Sequence, residues 1–104
     1  MNKPEITVGS ILVNSIGCGY DVYYQVVHRT PKRLKTIRLK EKTVNLSVKH
    51  QTCDILPKPG EFADEGSRDR EVTLAVHDDG RIGPRQRMEW WSVWEGKALN
   101  QWSP

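Results

Sequence analysis

The sequence predicts an all-β fold, a small SH3-like barrel of five to six short strands, with an OB-like barrel as the alternative. Three observations carry this. Apolar residues alternate with polar ones at period two wherever the chain is periodic, and no stretch longer than a turn or two shows the helical period. Turn signals built from Gly, Pro, Asn and Asp separate these runs. The chain has 104 residues, the size of one domain, so residues 1–104 are expected to form a single barrel.

The elements follow in order. Gly9 to Val13 is a short β-type run, and Ile16-Gly17-Cys18-Gly19 then reads as a turn in which glycines permit positive φ. Asp21 to Arg29 is the strongest strand. Val22, Tyr24 and Val26 share one face and Tyr23, Gln25 and Val27 the other, so both faces carry apolar side chains, as in a central strand covered on each side. Thr30-Pro31-Lys32 reads as a hairpin connection. Leu34 to Glu41 alternates with Ile37 and Leu39 inward and Arg38 and Lys40 outward. Thr43 to Lys49 repeats the pattern with Val44, Leu46 and Val48 inward and Asn45, Ser47 and Lys49 outward.

Ile55 and Leu56 precede Pro57-Lys58-Pro59-Gly60, which is expected to end any regular element. Residues 57–70 are the expected flexible loop, its part from Phe62 to Arg70 being charged and aperiodic. Glu71 to His77 is a further strand with Val72, Leu74 and Val76 inward, and Asp78-Asp79-Gly80 behind it is a hairpin signal. Gly83-Pro84 is another break. Met88 to Gly96 reads as an aromatic closing strand, Glu95-Gly96-Lys97 as its turn, with Trp102 near the end of the sequence.

Charge is laid out unevenly. Half of the 16 Lys and Arg residues fall between Arg29 and Lys49 (Arg29, Lys32, Arg33, Lys35, Arg38, Lys40, Lys42 and Lys49), with Glu41 the one acid among them. Acids gather later, at Asp54, Glu61, Asp64, Glu65, Asp69, Glu71, Asp78 and Asp79. If Arg38, Lys40 and Lys49 lie outward on adjacent strands, they make a positive face of the kind that tracks phosphates. Outward strand positions are also polar for a plainer reason, since lysine protects exposed edges. Trp90, Trp91, Trp94 and Trp102 serve a small domain first as core. Neighbouring Trp90 and Trp91 must point to opposite faces, which leaves Trp91 and Trp102 as candidate surface anchors beside the basic residues.

Catalytic chemistry finds no support. His28, His50 and His77 are isolated, Cys18 and Cys53 lack metal-ligand spacing, no serine sits in a nucleophile elbow, and Gly17-Cys18-Gly19 is too short to cradle a phosphate. No cofactor, no metal and no enzymatic activity are expected. Two dispersed cysteines, no apolar leader behind Met1-Asn2-Lys3-Pro4-Glu5 and no apolar run of membrane-spanning length give the expectation of a cytoplasmic protein with reduced thiols.

Four segments carry a resemblance. Val8-Gly9-Ser10-Ile11-Leu12-Val13, Ser15-Ile16-Gly17 and Tyr23-Tyr24-Gln25-Val26-Val27, with the tail Val93-Trp94-Glu95-Gly96-Lys97-Ala98-Leu99, resemble a family of small phage and mobile-element proteins. Those open with a GDI…SWGYDQTN…FYQVV pattern and close with WDGKPV. Ile16 stands where the family has tryptophan, and Cys18-Gly19-Tyr20-Asp21 is a shortened counterpart of its Asp-Gln-Thr-Asn stretch. The resemblance implies a non-catalytic protein that binds a host protein or nucleoprotein complex, anti-defence inhibitors included. The alternative is a nucleic-acid-binding barrel that uses the basic strands with aromatic stacking. A homodimer through a free strand edge is a further expectation.

Overall fold

The computed structural model describes residues 6–15, 21–67, 70–77, 82–83 and 90–102, with the side chains at 90 and 100–102 excepted. Seven strands form in it: β1 (Ile11–Ser15), β2 (Asp21–Arg29), β3 (Arg33–Ser47), β4 (Thr52–Phe62), β5 (Glu71–Ala75), β6 (Trp90–Val93) and β7 (Leu99–Trp102). No helix occurs among the described residues. The fold is all-β, as the alternation predicts. Every pairing is antiparallel, in the order β6-β1-β2-β3-β4-β7, with β5 joined to β3. The end strands β6 and β7 do not pair with each other, so among the described residues the sheet is not closed, in a small domain consistent with the barrel-like fold expected. The Asp78-Asp79-Gly80 hairpin and the Ile16–Gly19 turn lie outside the described residues, as does Cys18.

β2 is the central strand its composition implies. It pairs with β1 on one edge and β3 on the other, and buries Tyr23 on one face and Tyr24 and Val26 on the other. A bulge at Val27 interrupts the β2–β3 ladder. The turn between them closes where Thr30-Pro31-Lys32 predicts, the Thr30 N–H donating to the Arg33 carbonyl at 2.9 Å while the Thr30 hydroxyl oxygen accepts from the Arg33 N–H at 3.1 Å.

Burial on both faces of this strand yields two apolar cores. One joins Val13, Tyr23, Leu39, Cys53 and Ile55, with Ile11, Phe62, Trp94 and Leu99 packed against it. Tyr23 ties it together, its hydroxyl donating to the Ile55 carbonyl at 2.9 Å and its ring meeting Trp94 edge-on at 5.9 Å. The other joins Leu12, Val26, Leu34 and Leu74, edged by Ile6, Val72, Val76, Ile82, Trp91 and Val93. Thr36 is buried beside it and donates to the Val72 carbonyl at 2.7 Å, so its hydroxyl costs little there.

Three expectations about β3 and β4 are corrected. Leu34–Glu41 and Thr43–Lys49 are not two strands; β3 is one strand of 15 residues. Leu46 and Val48 do not face inward, being 59% and 82% exposed, and Val44 is only half-buried. The reason is that β3 passes from one core to the other: Leu34 and Thr36 bury one face, then Leu39 buries the opposite one. Beyond Leu39 its one strand partner is β4, and among the described residues nothing covers the hairpin tip.

Third, Pro57-Lys58-Pro59-Gly60 does not end a strand; β4 runs through it. From Leu39 to Glu41 β3 advances two residues while β4 covers five, from Phe62 to Pro57, so the intervening residues arch out of the ladder. An arch of this kind tolerates proline because no ladder hydrogen bond is asked of it. Gly60 adopts φ 78°, and its N–H donates to the Gln25 side-chain carbonyl at 2.9 Å. The expected loop over 57–70 is thus strand as far as Phe62, followed by a turn in which the Ser67 N–H reaches the Asp64 carbonyl at 3.0 Å.

Candidate binding surfaces

The basic residues that stand close in sequence part company in space. β3 keeps strict alternation from Arg33 to Val44, so Arg33 and Lys35 lie on one face and Arg38, Lys40 and Lys42 on the other. Arg33 and Lys35 are exposed opposite Ala75 and Thr73 of β5. Lys32 is exposed in the β2–β3 turn, and Lys49 in the turn at the far tip of the β3–β4 hairpin. Arg29 ends β2 partly buried, with one guanidinium nitrogen enclosed and unpartnered among the described residues.

One group of cations does converge. Arg38 and Lys40 line a groove of about 540 Å³ with Glu41, Lys58, Asp64 and Ser67. Lys58 comes from the arch in β4 and was not singled out from the sequence. Its signal was present in Pro57-Lys58-Pro59-Gly60, whose two prolines carry a lysine away from the ladder. Lys40 and Asp64 approach at 3.5 Å, but with both exposed the pair contributes little. Burial pushes the Glu41 carboxyl above its ordinary range, opposed by the Arg38 charge and reinforced by Asp21.

The aromatic candidates fare unequally. Trp91 is partly buried against Tyr24, ring centroids 5.0 Å apart, and its indole N–H has no partner among the described residues. Gly83 lies against the same ring, so closely that a Cβ there would sit 2.7 Å from Trp91 Cδ1. Trp94 packs on Tyr23 and donates its indole N–H to the Lys97 carbonyl at 2.8 Å. Trp102 belongs to β7, paired with Thr52, and its side chain lies outside the described part.

The hairpin tip is the feature that alternation concealed. Leu46 and Val48 are exposed there beside Lys49 and His50, and from Lys42 to Thr52 the chain carries no acid. Asn45 and Gln51 adopt positive φ on either side of the tip, and the Asn45 amide donates to Asp54 at 3.0 Å.

Among the described residues no group of three His, Cys, Asp or Glu side chains gathers as metal ligands would. Cys53 is a buried free thiol. Among the described residues no helix is long and apolar enough to cross a membrane. Compared with protein-family profiles, curated proteins and solved structures, the chain matches none.

Proposed function

We propose that this protein is a non-catalytic binding domain that docks on a partner protein through the tip of its β3–β4 hairpin. The observation that carries the reading is the exposure of both Leu46 and Val48 on a hairpin tip whose residues from 42 to 52 include no acid. Apolar side chains left exposed on a strand hairpin are the kind of anchor a protein interface uses, and a neighbouring lysine favours an acidic rim around the receiving recess. Burying each of them in a partner contributes about 1.5–3 kcal/mol before the costs of association. With the resemblance to phage and mobile-element proteins, the partner class is a host protein or nucleoprotein complex in the cytoplasm, and the action is to block it.

A backbone-tracking nucleic-acid surface has less support, because the cations of β3 divide between opposite faces, Arg33 and Lys35 on one and Arg38, Lys40 and Lys42 on the other, which shortens any strip they make. The test is retention from bacterial lysate by the tagged protein, with and without nuclease, beside a Leu46→Asp/Val48→Asp variant. A discrete protein held by the parent in both halves and lost from the variant is the expected result. Retention of nucleic acid alone, or of the same protein by both forms, overturns the reading.

A further inference from the structure

We propose that the groove between β3, the β4 arch and the 63–67 turn is a binding site for a compact oxyanion, the phosphate or carboxylate groups of a small molecule. It lies apart from the hairpin tip and does not depend on the function proposed above.

Four observations converge on it. Arg38 follows Leu34 and Thr36 on the same face of β3, so the strand that anchors the core also aims this guanidinium into the groove. The residue is half-buried, and although its charge acts on Glu41, its side chain makes no hydrogen bond or close ion pair among the described residues. A partly desolvated guanidinium with a planar set of five donors is suited to a bidentate oxyanion, and it gains more from one than a fully hydrated lysine does.

Lys58 approaches from a second element and is held by its surroundings. Pro57 is buried, Pro59 fixes the chain on the other side, and Gly60 is tethered to Gln25. The arch therefore presents Lys58 from a backbone with little conformational freedom left to lose on binding.

The third cation, Lys40, is engaged only by Asp64, at 3.5 Å and with the carboxylate 87% exposed. An arriving anion displaces so loose a partner at small cost. Ser67 adds a hydroxyl from the turn.

Charge and size define the occupant. Three cations face two acids in the groove, and one of those acids, Glu41, is half-buried where its charge is disfavoured. A space of about 540 Å³ suits a small ligand, and its predominantly charged lining selects a polar one.

The test is a titration of isotopically labelled protein with pyrophosphate and, separately, with citrate, at constant ionic strength, followed by amide and guanidinium NMR shifts. Saturable shifts at Arg38, Lys40, Ala63 and Ser67 with at least one of the two anions are expected. Arg38→Gln should weaken that binding roughly tenfold, the share of one charge-assisted contact. Lys58→Gln, on the arch, should weaken it several-fold. Lys35→Gln, on the opposite face of β3, should leave it unchanged within a factor of two. Whichever anion binds more tightly names the ligand class. The proposal is overturned if neither anion shifts the groove, or if Lys35→Gln costs as much as Arg38→Gln and Lys58→Gln, since the attraction would then be diffuse.

Discussion

The two halves of β3 share one strand and one kind of alternation, yet they do opposite things. From Arg33 to Ile37 the strand is flanked by β2 and β5 and closes a core with Leu34 and Thr36. From Leu39 onward it pairs with β4, buries the opposite face at Leu39, and ends with Leu46 in solvent. An apolar residue in a strand is core only when a second element lies over it. Where none does, the same residue becomes a contact surface, and the first half serves as the rigid base that holds the second half out.

Truncating the same side chain in each half should separate the two most widely. Leu34→Ala removes a fully buried group and should cost about 2–5 kcal/mol in urea unfolding, whereas Leu46→Ala should stay within about 0.5 kcal/mol of the parent. Equal losses would mean that the tip is packed in solution.

Next in size is Gly83→Ala, which tests the core that the first half of β3 shares with Trp91. The added methyl group meets Trp91 at 2.7 Å from a backbone at φ 104°, so about 2 kcal/mol should be lost, with a change in tryptophan fluorescence. Unaltered stability and emission would show that the ring does not rest there.

Tyr23 tests the other core. Burial, first, and the Glu41 charge, second, push its phenol up to about 12. Its folded pKa exceeds the unfolded value near 10, so its contribution to stability is complete below about pH 10 and is lost as pH rises through about 12. Ultraviolet titration should show one late-ionising tyrosine that disappears in Tyr23→Phe. That variant also gives up the bond to Ile55 and should lose about 1 kcal/mol.

The smallest effect belongs to Glu41, at the junction of the two halves. Its raised carboxyl means that the unfolded chain releases its proton first, so this group's contribution falls as pH rises from the ordinary glutamate range into its own raised range. Glu41→Gln should remove that slope and gain ~0.5 kcal/mol at neutral pH, a modest figure because the group is partly solvent-screened. A loss on substitution would instead mark a favourable pairing with Arg38.

Much of the site remained hidden in the sequence for a reason these residues share. Arg38 and Lys40 could be singled out as strand cations, but their third companion, Lys58, stands in a Pro-Lys-Pro-Gly stretch that reads locally as a stop. Only the five-against-two register between β4 and β3 carries it to the groove. Trp91 read as a candidate anchor because it neighbours Trp90, but a ring at a strand position is placed by what lies beside it, here Tyr24 and Gly83.

The all-β class, the central strand with both faces apolar, the turn at Thr30-Pro31-Lys32 and the crowding of positive charge between Arg29 and Lys49 were all legible in the order of residues. These follow from local rules: side chains alternate at period two, and proline and glycine restrict the backbone wherever they occur. Tertiary structure alone decided which face each half of β3 buries, that Lys35 and Arg38 part to opposite sides, that Leu46 and Val48 stand exposed, and that β6 and β7 do not pair with each other. Period two is the same for either face of a strand. Strands distant in sequence choose between the faces by covering one and leaving the other to solvent.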